Sequence, residues 1–525
     1  MVKKILLLFS SLGREITGLH EAAYVLAIGS VASLLLALIR DRLLAGILGA
    51  SSTLDVYYAA FRIPDFIFIT VASLVSTSIL VPFLVESRER SKDELRASIQ
   101  SLFSTFFLVI LVVCGIVWIF MPRLLEWLYP NLFVLGLGES LISLSRILLL
   151  SPIILGFSSF FTSLTQIGNR FLVYAIGSPL YNIGIIVGIV WFLPDFGVKG
   201  LGWGVVLGAS LLVLSQIPFV IKDGLFPRLT FFGIDWIRVR RVALLAIPRT
   251  ITLSSQQITM LSLVAFASLL GAGSISVFNL AWNLQSVPLS IIGASYASAV
   301  FPVLAKFVAE KNREAFLDKV VSAAQHIFFW SIPLSVLFIV LSSQIVRSIL
   351  GTGKFDSGDA TLTAAALALF VVSSIGQCLM LLFVRAFYAE GKTTKPLIIN
   401  IISAIVTIIL GYILIHKFPT VLMLPLAFSL GTFLNLFLHW RGFSKSFPGF
   451  SRPVLRTALE SIGASIVGGY ITYKSLYFLV GVFDTTKSIG VFIEGLCAGI
   501  IGVIVVVLIL FLLKSRELYD IIKTK

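Results

Sequence analysis

About fourteen separate apolar stretches, each of roughly 18 to 30 residues, run from Ala22 to about Leu513. A run of ~20 apolar residues matches the ~30 Å hydrocarbon core of a bilayer. Little chain is left over for a soluble domain. Backbone amides and carbonyls in lipid must be satisfied within the spanning element, so only helices or a closed barrel are available. The stretches are continuous rather than alternating, which excludes a barrel. The expected fold class is an all-α polytopic membrane protein. Its helices are expected at approximately 22–48, 56–85, 99–120, 140–166, 171–193, 198–221, 240–270, 274–305, 320–343, 359–389, 396–416, 421–440, 457–480 and 486–513.

Charge is scarce, at 12% of residues, so the charges present belong in loops or serve function. The formal charge of +15 would suggest nucleic acid in a soluble protein. In a membrane protein it reads as basic loops held on the cytoplasmic side, and no nucleic-acid partner is expected. With an even helix count both termini share a side. About 27 of the 40 Lys and Arg residues fall on that side, including Arg88, Arg90, Lys92 and Arg96, which predicts cytoplasmic termini. Cys114, Cys378 and Cys497 lie far apart in apolar stretches and read as buried small hydrophobes. The start of the chain carries Lys3 and Lys4 before an apolar run too short to span, and Arg14 and Glu15 interrupt it. No cleavage site of a signal peptide is evident; an interfacial segment is expected.

The chain also repeats itself. Leu48-Gly49-Ala50 returns as Leu270-Gly271-Ala272, Pro64 as Pro288, and Val81-Pro82-Phe83-Leu84 as Phe301-Pro302-Val303-Leu304. Thr165-Gln166-Ile167-Gly168-Asn169 resembles Tyr388-Ala389-Glu390-Gly391-Lys392. The offsets cluster near the length of six helices. The expected organisation is an N-terminal segment (1–21), a six-helix lobe (22–232), a second six-helix lobe (233–445), and helices 13 and 14 with a tail (446–525). Six helices per copy make the repeats parallel, as in transporters that alternate access around a site enclosed by two halves. The competing explanation is chance recurrence of small residues and prolines.

The stretch Ile39-Arg40-Asp41-Arg42-Leu43-Leu44, continuing through Gly49-Ala50, Asp55 and Ala60-Phe61-Arg62-Ile63-Pro64-Asp65, resembles the MurJ (MviN) family of lipid II flippases. That family sits in the multidrug/oligosaccharidyl-lipid/polysaccharide exporter superfamily. Further matches follow in order at Ala272-Gly273-Ser274, Pro288, Phe301-Pro302, Gly353-Lys354-Phe355-Asp356 and Arg385-Ala386-Phe387-Tyr388-Ala389. The resemblance implies fourteen helices, a V-shaped pair of lobes around a cationic cavity, and a lipid-facing groove along helices 13 and 14. The implied partner is lipid II, the undecaprenyl-pyrophosphate-linked peptidoglycan precursor, moved from the inner to the outer leaflet of the bacterial plasma membrane without making or breaking a bond.

The family's positions fall on Arg40, Asp41, Asp55 and Arg62 as candidate substrate-binding residues. Arginine suits a pyrophosphate because it stays charged and donates two parallel hydrogen bonds to phosphate oxygens. Arg40 is assigned to the pyrophosphate, with Asp41 pairing with it or gating. Snorkelling of Arg40 and Arg42 to the headgroups is the alternative, and loop solvation is the alternative for Asp55. The chain departs from the family's pattern where Phe68, Ile69, Ser73 and Leu74 occupy slots for two arginines, an acid and a glycine. A further family arginine falls at Asn283. Arg249 could replace part of that charge or mark the cytoplasmic interface. Asn283, with Asn279 and Gln285, could offer neutral hydrogen bonds or simple packing.

Three other readings compete. One is export of another lipid-linked oligosaccharide, such as an O-antigen or capsule unit. A second is a cation-coupled drug exporter, which would favour buried carboxylates within a lobe. The third is an enzyme. His20, His326, His416 and His439 are scattered, no metal-ligand spacing is present, and no nucleotide-binding glycine loop is found. No enzyme activity and no cofactor are therefore expected; a coupling ion has no ligands that the sequence identifies.

Overall fold

A computed structural model describes residues 19–73, 76–168, 170–230 and 234–518. Every assigned element among the described residues is helical. By contact clustering the chain forms two compact units: residues 1–44 with 52–261, and residues 45–51 with 262–525.

The first unit begins with α1 (Leu19–Leu48), whose last turn belongs to the second unit. Then come α2 (Ser52–Ala72), α3 (Thr77–Arg90), α4 (Lys92–Leu128), α5 (Pro130–Val134), α6 (Gly138–Leu148), α7 (Leu150–Ile167), α8 (Phe171–Val187), a π-helical turn at Gly188–Phe192, α9 (Leu193–Phe196) and α10 (Val198–Lys222). The start of α4 is capped by a side chain: Ser91 Oγ accepts from the Glu94 amide at 3.0 Å, which satisfies a donor the first turn leaves orphaned. The α8–α10 contact is made by glycines. A Cβ on Gly184 would lie 2.2 Å from Gly208 Cα, and one on Gly188 would lie 2.5 Å from Gly204 Cα. Helices in lipid gain little from apolar burial, so close backbone approach over small residues takes its place. Lys222 ends α10, and the following Asp223 pairs with the buried Arg170 ahead of α8 (Arg170 Nε to Asp223 Oδ2, 2.6 Å), closing one end of this helix pair.

One expected helix is two. The stretch 56–85 breaks between α2 and α3, where Ser73, Ser76, Thr77 and Ser78 cluster. Ser73 Oγ donates to the Thr70 carbonyl at 2.8 Å. Hydroxyls that bond to nearby backbone compete with the helical ladder.

The second unit holds the end of α11 (Trp236–Ala267), then α12 (Ser274–Pro288), a π-helical turn at Leu289–Ala294, α13 (Ser295–Ala309), α14 (Arg313–Val340), α15 (Ser342–Ile349), α16 (Ser357–Ala389), α17 (Thr394–Lys417), α18 (Met423–Ser446), α19 (Ser451–Leu479) and α20 (Ser488–Leu512). Its core is an aromatic cluster in which Phe383, Phe387, Phe443 and Phe450 are fully buried. The last turn of α1 docks here: the Lys354 amide donates to the Gly46 carbonyl at 2.8 Å, and the Ala50 amide to Asp359 at 3.0 Å. Helices α19 and α20 again meet over small residues, with Gly468 against Val506 and Gly502 against Thr472.

Each of the fourteen expected apolar stretches overlaps a helix, and ten of the described spans are long and apolar enough to cross a membrane. Leu74, Asn169 and the N-terminal stretch through residue 18 lie outside the described residues.

Candidate functional site

An arginine at a helix centre costs ~2.5–3.5 kcal/mol on insertion scales, so a spanning helix keeps one only where the surroundings take up its charge. Arg40 lies on α1, eight residues before the helix ends, or about 12 Å along the axis. Its guanidinium folds onto the protein. Nε donates to Asp41 Oδ1 at 2.9 Å, Nη2 lies 2.8 Å from the same oxygen, and Nη1 donates to Asn182 Oδ1 on α8 at 3.1 Å. The Arg40 side chain is 20% exposed and that of Asp41 only 4%. This geometry differs from snorkelling, in which the head would extend away from its own helix. Asn182 is itself fixed: its Nδ2 donates to Ser33 Oγ at 3.2 Å and to the Ser178 carbonyl at 3.2 Å. Arg40 thus faces a rigid amide acceptor as well as a carboxylate.

Helix α2 supplies the rest of the cluster. Tyr57 and Tyr58 are buried, and Tyr58 lies within electrostatic reach of Asp41, Arg40 and Arg62 together. Arg62 is half-buried and within reach of Asp65 one turn on and of the buried Tyr129. Tyr181, beside Asn182 on α8, is within reach of Asp65, Tyr57 and Arg40. Two arginines are therefore accompanied by two aspartates inside one unit, where the resemblance implies a cationic lining. The physical reason is desolvation: a carboxylate beside each guanidinium offsets several kcal/mol of cost per buried ion.

The structure brings Arg40 and Asp41 into direct contact, and Tyr58 lies within electrostatic reach of them and of Arg62. Asp55 is buried, at 3% exposure, in the first turn of the same helix, where the amide dipoles favour a carboxylate. Arg249 lies on α11 against the far end of α2. Its neighbour Thr250 pairs with Ser73 at 2.5 Å, and Ser254 pairs with Thr70 at 3.0 Å. Asn283 belongs to the second unit, half-buried on α12 beside Trp282, whose ring packs edge-on against Phe370 and Phe428. The remaining amides there bond to neighbouring groups of the protein. Gln285 Oε1 accepts from Ser374 at 2.9 Å and Gln377 Nε2 donates to Ser373 at 2.8 Å, while Asn279 donates to the Ile275 carbonyl at 2.7 Å.

Sequence reasoning missed Asn182, Tyr57, Tyr58 and Tyr181, and used Asp65 only as part of a motif. The signal was available in part: Asn182 is a lone amide within an apolar span, and polar residues in spans mark contacts or pathways.

A family model described as lipid II flippase MurJ matches residues 44–513. The chain belongs to the MurJ family of lipid II flippases. The match begins just beyond Arg40 and Asp41 and covers both units. A protein of Buchnera aphidicola subsp. Schizaphis graminum named probable lipid II flippase MurJ is 27% identical over 449 residues, spanning 84% of this chain and 86% of the relative. Among solved structures, a lipid II flippase MurJ in an inward closed conformation aligns with a TM-score of 0.76 at 24% identity, over 95% of this chain and 99% of that one. An inward-facing multidrug transporter of the MATE family aligns with a TM-score of 0.68 at 16% identity, over 80% of this chain and 96% of that one. At those identities the structures speak for the fold, and the family match separates the flippases from the drug exporters that share it. Together with ten apolar spans, membership in this MurJ family makes the chain an integral membrane protein.

Proposed function

We propose that this protein is a lipid II flippase of the bacterial inner membrane. It moves the undecaprenyl-pyrophosphate-linked peptidoglycan precursor from the inner to the outer leaflet by alternating access, with both termini in the cytoplasm and fourteen crossings. Residues 22–232 and 233–445 act as repeat lobes, and 446–525 adds the last two helices beside which the prenyl tail travels. The chemistry is transport, with no covalent step.

The observation that carries the reading is Arg40, set in the helix α1 and held by Asp41 and Asn182. In this mechanism a phosphate oxygen takes the place of Asp41 on one edge of the guanidinium, exchanging one charge-assisted pair for another. Tyr58 Oη is enclosed and has no hydrogen-bond partner among the described residues. It is a donor that a second phosphate oxygen would accept from. Arg62 and Arg249 supply further positive charge along α2 and α11. Asp55 orders the start of α2, and Asn283 offers a neutral hydrogen-bonding group. The substrate's negative charge allows the membrane potential to contribute, at ~2.3 kcal/mol per charge per 100 mV.

Export of another lipid-linked oligosaccharide draws support from one departure, the apolar Phe68 and Ile69 in two family arginine slots. Complementation decides between them. Rescue of growth in a bacterium depleted of its lipid II flippase is the expected result. Failure there, with rescue of a capsule-export mutant instead, overturns it.

A further inference from the structure

We propose that the first unit contains a separate glycan subsite, a neutral cavity that reads the sugar attached to the pyrophosphate. The proposal rests on the reading of Arg40 as the phosphate ligand. The cavity measures about 420 Å³ and is lined by polar groups from three helices and the end of a fourth: Ser158, Ser159 and Thr162 on α7, Ser178 on α8, Gln216 on α10, and Ser73 just past α2. Its size falls within the roughly 300–1,000 Å³ of small-molecule sites. Its apolar walls include Phe68 and Ile69, and among the described residues no charged side chain lines it. Such a wall suits a neutral ligand.

The polar groups are set for hydrogen bonding. Gln216 is 1% exposed, and its amide is held at both ends: Oε1 accepts from Ser158 at 3.2 Å and Nε2 donates to Thr162 at 3.0 Å. A carboxamide has two donors and two lone pairs, and each hydroxyl can both donate and accept. One N–H and one lone pair of Gln216 are left over by these two bonds. Helix packing uses hydroxyls too, but these line open volume. A ligand carrying hydroxyls and an N-acetyl group matches such a mixed donor and acceptor surface, whereas a free phosphate would meet no positive charge in it.

Position supplies the second argument. Ser178 is one helical turn from Asn182, and its carbonyl accepts from Asn182 Nδ2 at 3.2 Å; Asn182 in turn holds Arg40 at 3.1 Å. On α2, Phe68 follows Arg62 by six residues, about 9 Å along the axis. The cavity thus adjoins the arginine cluster within one unit. A glycosyl pyrophosphate has the matching order, with its first sugar bonded directly to phosphate.

The test uses the full-length protein in nanodiscs and two probes, bare undecaprenyl pyrophosphate and the same lipid carrying the peptidoglycan disaccharide-pentapeptide. Wild type is expected to prefer the glycosylated lipid. Ser159→Phe, which fills the cavity, and Gln216→Leu, which removes the bridging amide, are each expected to shrink that preference at least tenfold. Ser159→Ala, which deletes one hydroxyl at little cost in volume, is expected to shrink it two- to fivefold and covers misfolding of the bulkier variants. Retention of the preference in all three variants overturns the subsite, as does equal loss of both lipids in all three or the absence of a preference in wild type. Binding of neither lipid by wild type overturns the flippase reading itself.

Discussion

Helices α2 and α12 are built alike and charged differently. Each follows a glycine in the left-handed region, Gly49 at φ 67° and Gly273 at φ 86°, and each carries an internal proline, Pro64 and Pro288. Around α2 the first unit gathers Arg40, Asp41, Arg62 and Asp65 with the buried Tyr57, Tyr58 and Tyr129 and the half-buried Tyr181. Around α12 the second unit gathers Asn279, Gln285, Ser374 and Gln377. The two helices share the turn and the proline and differ in their polar chemistry. Ionisable residues within spans are costly and persist where they act, while neutral amides persist as joints between helices. If the chain flips lipid II as proposed, this difference predicts that headgroup charge is recognised in the first unit.

The largest effect expected of that assignment is at Arg40. Arg40→Ala removes two charge-assisted contacts, on the order of 3 kcal/mol, and should lower flipping by about 100-fold while membrane insertion is unchanged. Arg40→Lys keeps the charge but loses the planar fork, so its activity should fall between the two. Normal lipid turnover by a well-expressed Arg40→Ala variant would erase the contrast between the units. Asp41→Asn should act next most strongly, and on stability first. It leaves a largely buried guanidinium without its carboxylate, a change that costs about 3 kcal/mol in comparable buried pairs. Thermal unfolding of purified protein reads this directly. An unshifted midpoint would show that solvent or Asn182 alone suffices to hold Arg40.

How far this was legible in the sequence depends on the distance over which each feature is determined. The helices were legible because apolar run length against bilayer thickness is a local property. The break between α2 and α3 was not, because Ser73 looks like an ordinary helix residue until its hydroxyl finds Thr70 and Thr250. The repeat was visible as Gly49 and Gly271, yet the left-handed turn falls on Gly273, two residues on. Either glycine adopts positive φ freely, so packing against Ala50 decides which one does. Arg40 and Asp41 were singled out because they are neighbours within one short motif that carries the family resemblance, and a motif is local in sequence. Asn182 was not, since its contact with Arg40 bridges 142 positions and no local pattern encodes it. The counter-charge of Asp65 also needed the fold, because only there does it fall within reach of both Arg62 and Tyr181.

The smallest expected effect sharpens the contrast from the other side. If the amides of the second unit are joints, Gln285→Leu should cost about 1 kcal/mol of stability, the usual scale of an interhelical polar contact in a membrane protein. Ser374 Oγ would lose its acceptor at 2.9 Å and Gln377 a weaker contact at 3.4 Å, but α12 and α16 would stay packed through Phe278 and Phe370. Flipping should then remain within about twofold of wild type, because a joint weakened by 1 kcal/mol still leaves nearly all molecules folded. Paired measurements on the same preparation, thermal midpoint and leaflet exchange, separate the two roles. A large loss of exchange with an unchanged midpoint would place Gln285 in contact with the headgroup, and charge in the first unit would then be only half of the recognition.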